Sequence, residues 1–126
     1  MIKPSLAPWL SVSNGTSAIE FYKKAFSAKE VYHLDDPGGG VVSRLAIDGG
    51  EFWLSGSGDG NNEVSGSPSE PAVRMIWTVA DPDTAFARAI AAGASVIFPV
   101  GEGYGWRVGR LVDPFGHHWE IGHELE

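Results

Sequence analysis

His118 and Glu120 stand two residues apart in the run His117-His118-Trp119-Glu120, near the end of a 126-residue chain. On a strand this spacing projects both side chains from one face. An imidazole and a carboxylate so placed could hold a divalent cation if a third donor joined them, and His33 and His123 are the candidates. Polar residues on an exposed strand face also produce this spacing by chance, and His117 reads as a turn residue. Glu120 is the one candidate for general acid or base work. A second feature is the run 101–106, in which Tyr104 and Trp106 sit among three glycines. It reads as a movable flap over a ligand or as a plain hairpin turn whose aromatics pack on a sheet. Other chemistries lack their residues. Gly38-Gly39-Gly40 has no following Lys-Ser or Lys-Thr for phosphate, and no Gly-x-Gly-x-x-Gly opens a helix. No Gly-x-Ser-x-Gly elbow exists, and with no Cys there is neither a thiol nucleophile nor a thiolate metal site.

The elements that position these residues occur twice. Gly50, Trp53 and Gly56 recur as Gly116, Trp119 and Gly122, each pair 66 positions apart, and Arg44-Leu45 recurs as Arg110-Leu111. Near the start of each copy the offset is 67, matching Val12 to Val79 and Ala18 to Ala85. Two copies are too few for a solenoid. They predict two similar modules about a pseudo-twofold axis, with a cleft between them and Trp53 superposed on Trp119. Each copy reads strand, helix, three strands. Strands are expected over 8–13, 29–34, 41–47 and 51–55, then over 73–79, 95–100, 106–112 and 117–123. Helices are expected over 18–26, with Ile19, Tyr22 and Phe26 on one face, and from Asp81-Pro82-Asp83 through Ala92, ended by Gly93. The chain is read as one domain, 1–126, with module one over about 1–56 and module two over about 72–126. The Gly/Ser/Asn/Pro-rich stretch 57–71 is expected to link them. Alternation then sorts faces. Leu10, Val12, Trp77 and Val79 should lie under the helices, with Trp53 and Trp119 in the core. Trp9, Phe52, Leu54, Arg74, His118 and Glu120 should face the cleft.

Composition narrows the functional classes. Hydrophobic residues make up 43% of the chain and charged residues 20%, which suits a water-soluble globular protein. No run is long enough to cross a membrane, and Met-Ile-Lys-Pro opens no signal peptide, so a cytoplasmic location is expected. A net charge of −7 argues against a nucleic-acid partner and biases weakly toward cationic ligands.

The duplicated module, closed in its second copy by Asp-Pro-Phe-Gly-His-His-Trp-Glu at 113–120, resembles the vicinal oxygen chelate superfamily. That superfamily includes glyoxalase I, extradiol dioxygenases, and bleomycin and fosfomycin resistance proteins. The helical run Ala-Ile-Glu-Phe-Tyr-Lys-Lys-Ala-Phe at 18–26 is similar to its PhnB-like branch. The resemblance implies an α+β fold: two tandem βαβββ modules in a curved, incompletely closed sheet around a cleft. It implies metal-ligand positions at Ala7, Leu54, Arg74 and Glu120, of which only Glu120 can bind a cation. No cofactor is therefore expected, the alternative being a divalent metal (Zn, Ni, Mn or Fe) on Glu120 and His118. Arg74 and Glu120 are expected to pair where a metal would otherwise sit. The expected ligand-binding set is Trp9, Phe52, Leu54, Arg74, Tyr104, Trp106, His118 and Glu120. The function expected is binding of a small molecule in an aromatic cleft, and the expected assembly is a homodimer. The alternative is a metal-dependent lyase or isomerase of the glyoxalase type, and whether any reaction is catalysed stays open.

Overall fold

A computed structural model describes residues 5–57 and 73–126. The expected linker, 57–71, lies outside them apart from Ser57. In chain order the elements are β1 (Trp9–Asn14), α1 (Gly15–Phe26), β2 (Lys29–Asp35), β3 (Gly40–Ile47), β4 (Gly50–Ser57), β5 (Met75–Thr78), α2 (Pro82–Ala92), β6 (Ser95–Gly103), β7 (Trp106–Val112) and β8 (His118–Glu124). They form two four-stranded mixed sheets, ordered β1-β4-β3-β2 and β5-β8-β7-β6, neither of them closed. In each sheet the first and last strands of the module run parallel and the other pairs are antiparallel. This is the α+β fold of two βαβββ modules. Among the described residues no helix is long and apolar enough to cross a membrane.

Local chemistry explains the elements. Asn14 caps α1 by accepting the Ser17 amide at 3.0 Å, and Asp81 caps α2 by accepting the Thr84 amide at 3.2 Å. The turns Asp48-Gly49 and Tyr104-Gly105 join their strands through two residues with positive φ (50° and 87°, 54° and 86°), the primed geometry that matches strand twist. The run 101–106 is thus mostly strand β6 and a tight hairpin turn, not a flap.

One core joins the modules. Trp119 from β8 packs on Phe26, Tyr22 and Phe52 of module one, with ring centroids 4.4, 5.6 and 5.7 Å away. Beside it lies Asp113, only 2% exposed, in the β7–β8 turn. One of its oxygens accepts the Tyr22 hydroxyl at 2.6 Å and the Trp119 indole N–H at 2.9 Å. The other accepts the Phe115 and His117 amides at 2.9 and 3.0 Å. A buried carboxylate needs such donors. Burial, and then the Asp113 carboxylate, push the Tyr22 phenol well above its ordinary pKa.

The repeat differs from the expected one in a single register. Ala46 pairs with Glu51 across the first hairpin, and Val112 with His118 across the second, so the second connection is one residue longer. The offset of 66 that holds in β3 and β7 therefore becomes 67 in β4 and β8. Phe52 is the structural mate of Trp119, and Trp53 that of Glu120. The two tryptophans do not superpose. The Gly-Trp-Gly recurrence is a coincidence of spacing.

Candidate functional site

The register correction redraws the cleft. β1 and β4 pair in parallel with Trp9 beside Trp53 and Leu10 beside Leu54. Registered neighbours share a face, so Trp53 accompanies Trp9. Their rings stack at 5.7 Å and 8°, Tyr32 lies 5.5 Å from Trp53, and the Arg44 guanidinium sits 5.1 Å from the Trp53 centroid. Trp53 is consequently a partly exposed residue of the open face, not of the core. Phe52 and Leu54, expected in the cleft, are 2% and 0% exposed under the helices. Their apolar side chains belong with Leu10 on the helix-covered face.

Module two carries the polar chemistry. Glu120 lies on β8 with 18% of its side chain exposed, and its Oε2 meets two guanidiniums, accepting a hydrogen bond from Arg110 and forming an ion pair with Arg74. Arg74 Nε approaches to 2.6 Å and Arg110 Nη2 to 2.8 Å. Arg74 thus points at Glu120, as expected. Arg110 was not foreseen as a site residue. It stands directly across β7–β8 from Glu120, and its guanidinium lies 5.7 Å from the Phe98 ring centroid. The signal was present: strand register opposite Glu120 leads to it, although the Arg-Leu repeat alone marks only duplication. A cavity of about 420 Å³ opens beside this cluster, lined by Ile76, Thr78, Tyr104, Trp106, Val108 and Glu120 among others. Its aromatics are accessible, with Trp106 42% exposed and Tyr104 fully so. An apolar cavity with one oriented polar cluster can hold a small molecule.

The histidines separate. His118 shares the Glu120 face, is 2% exposed, and has no hydrogen-bond partner on either ring nitrogen among the described residues. It borders a second cavity of about 330 Å³ with Trp9 and Arg74. His123, of opposite parity on β8, bonds the Val79 carbonyl at 2.9 Å through Nδ1. His33 sits on β2, bridging Glu30 at 2.6 Å and Asp35 at 2.9 Å. The hydrogen bonds to Glu30 and then Asp35 raise its pKa. His117 Nε2 meets the Ser11 carbonyl at 2.9 Å and ties the modules together. Neither His33 nor His123 joins Glu120.

The donors do not fit a divalent metal at the implied positions. Ala7 has no donor, Leu54 has none and is buried, Arg74 is a cation, and Glu120 is engaged at one oxygen by Arg74 and Arg110. Trp53, which takes the place expected for Leu54, offers no lone pair either. Among the described residues no three His, Asp or Glu side chains converge to hold an ion.

The sequence profile of the Glyoxalase/Bleomycin resistance protein/Dioxygenase superfamily matches residues 6–121. An uncharacterized protein of Mycobacterium bovis is 36% identical, over 96% of this chain and 84% of its own length. The fosfomycin resistance protein FosX of Listeria monocytogenes superposes with a TM-score of 0.76 at 16% identity, covering 99% of this chain and 96% of its own. A PhnB protein of Bacillus cereus, described as a putative 3-demethylubiquinone-9 3-methyltransferase, superposes at 0.71 with 20% identity, covering 95% and 99%. At these identities the structural likenesses establish the shared fold.

Proposed function

The chain belongs to the glyoxalase/bleomycin resistance protein/dioxygenase superfamily, and from that premise we propose that it binds a small molecule in its open aromatic cleft without a metal. The observation that carries this reading is the state of Glu120. The one carboxylate at an implied ligand position spends its inner oxygen on Arg74 and Arg110. The cluster is set for hydrogen bonding and charge, beside a cavity walled by Ile76, Tyr104 and Trp106. The apolar and aromatic faces of both sheets are open: Trp9 is 53% and Tyr32 43% exposed in the first, Ile76 60% and Trp106 42% in the second. We assign their cover to a second copy in a twofold dimer, the commonest closed oligomer.

One observation favours a second reading. The unpartnered nitrogens of His118 stand two residues from Glu120 on the same face. With an outside donor they would form, with Glu120, the metal centre of a glyoxalase-type lyase or isomerase, but Arg74 sets a positive charge 2.6 Å from the Glu120 oxygen that such an ion would need. A thermal-shift screen of planar small molecules tests the first reading. Binders should raise the melting temperature of the native protein and lose their effect in Trp106→Ala, whose side chain is exposed enough to spare the fold. Glyoxalase-type turnover that requires added zinc, nickel or manganese and vanishes in Glu120→Gln would replace it with the second.

A further inference from the structure

We propose that the cavity between the beginnings of β1 and β5 takes the anionic head group, a carboxylate or phosphoryl oxyanion, of a planar ligand. This rests on the reading that the cleft binds a small molecule, and it adds the ligand's chemical class. The cavity, about 330 Å³, is bordered by Trp9, Arg74, His117 and His118, with Pro8, Leu10, Val73 and Met75 completing its wall. Among the described residues that line it there is no Asp or Glu.

His118 carries the argument furthest. It is 2% exposed, and neither Nδ1 nor Nε2 has a hydrogen-bond partner among the described residues. Buried polar side chains are nearly always paired, so an orphan imbalance calls for a partner from outside the chain. A neutral imidazole has one N–H to donate and a protonated one has two. An oxyanion meets that need in either state.

Arg74 supplies the charge. It engages Glu120 through Nε, yet 43% of its side chain remains exposed. Arg74 is thus a partly exposed cation on the wall of the cavity. A guanidinium presents a fork of donors matched to carboxylate or phosphoryl oxygens, whereas a cationic ligand would meet it head-on.

Trp9 supplies the flat wall. Its ring is fixed by stacking on Trp53 and by donation of Nε1–H to Ser55 Oγ at 3.0 Å. A rigid aromatic face beside a charged fork selects a planar acid and loses little entropy on binding. His117 contributes no free head-group donor here, since its Nε2 is spent on the Ser11 carbonyl.

Three probes with one ring system test this: 2-naphthoate, 2-naphthyl phosphate and 2-naphthamide, titrated into the native protein by calorimetry. At least one of the two anions should bind about tenfold or more tighter than the amide, the scale of one charge-assisted contact. Which anion wins distinguishes the carboxylate from the phosphoryl source. Binding should shift the His118 ring-nitrogen resonances of 15N-histidine-labelled protein. Arg74→Met and His118→Phe should each erase the preference. His118→Phe should also hold or raise the melting temperature, because it removes a buried polar group that has no partner in the fold. Equal affinity for anions and amide overturns the head-group assignment while leaving the cleft reading intact. An anion preference that survives both substitutions overturns it too, since the charge is then read elsewhere. Failure of all three probes to bind overturns this inference, while the cleft reading stands or falls by the thermal-shift screen and its Trp106→Ala control.

Discussion

Tyr22→Phe, Asp113→Asn and the double variant test how the two modules are joined. Tyr22 belongs to α1 of module one and Asp113 to the β7–β8 turn of module two, and their 2.6 Å hydrogen bond is buried. Removing the hydroxyl deletes one hydrogen bond to a charged acceptor, about 1.5–3 kcal/mol. Asparagine at 113 does more. It replaces one carboxylate oxygen by an amide nitrogen, so two of the four donors now aimed at the carboxylate lose their acceptor. The loss should be about 3–5 kcal/mol, the range seen when a buried charged pair is broken from one side. Because both variants remove the same contact, the double variant should cost less than the sum by about 1–2 kcal/mol. Urea denaturation followed by tryptophan fluorescence reads all three, since Trp119 is itself one of the donors. A Tyr22→Phe cost below about 0.5 kcal/mol together with an additive cycle would show that this contact does not couple the modules.

Alkaline pH should act on the same contact. The Tyr22 phenol is held above its unfolded value, so its contribution is complete below pH about 10 and fades as pH rises further; Tyr22→Phe should flatten that limb in a pH series of melts. His33 is held up by Glu30 and then Asp35, so its small contribution is present below pH about 6.5 and is lost as pH climbs through the raised value. NMR titration should find His33 above an ordinary histidine and Glu30→Gln should bring it down; a native His33 titrating at or below the ordinary value would contradict the bridge. Phe52→Ala should cost about 3–5 kcal/mol by opening the core, and Trp53→Ala clearly less, although the sequence makes Trp53 look like the core residue. Equal costs would restore the face assignment rejected above. Gly122→Ala should be markedly destabilising, since a Cβ there would fall 2.7 Å from the Val108 Cα in the neighbouring strand; a neutral melting temperature would contradict the register of β7 on β8.

The architecture was readable because its signals are local. Cap residues Asn14 and Asp81, the apolar face of Ile19, Tyr22 and Phe26, and Gly93 mark the helices without reference to the rest of the chain. Which face a strand residue takes is a register question, and register is set by turns. One extra residue in the second β-hairpin turns Trp53 outward while Trp119 stays inside, and equal spacing of Gly, Trp and Gly conceals it. The same slip placed Phe52 and Leu54 in the cleft. Asp113 read as a turn residue because its partners Tyr22 and Trp119 are brought to it only by packing of the modules. Arg74 meeting Glu120 was legible through the ligand positions that the family resemblance implies, and Arg110 required the antiparallel register between β7 and β8.

The proposed role turns on what Glu120 binds. Elemental analysis of native protein purified without chelator, set beside Glu120→Gln, measures this directly. Two guanidiniums on one carboxylate oxygen predict far less than one equivalent of zinc, nickel, manganese or iron, unchanged by the substitution. One equivalent of metal in the native protein, removed by chelation and absent from Glu120→Gln, would contradict the account and make the site a metal centre.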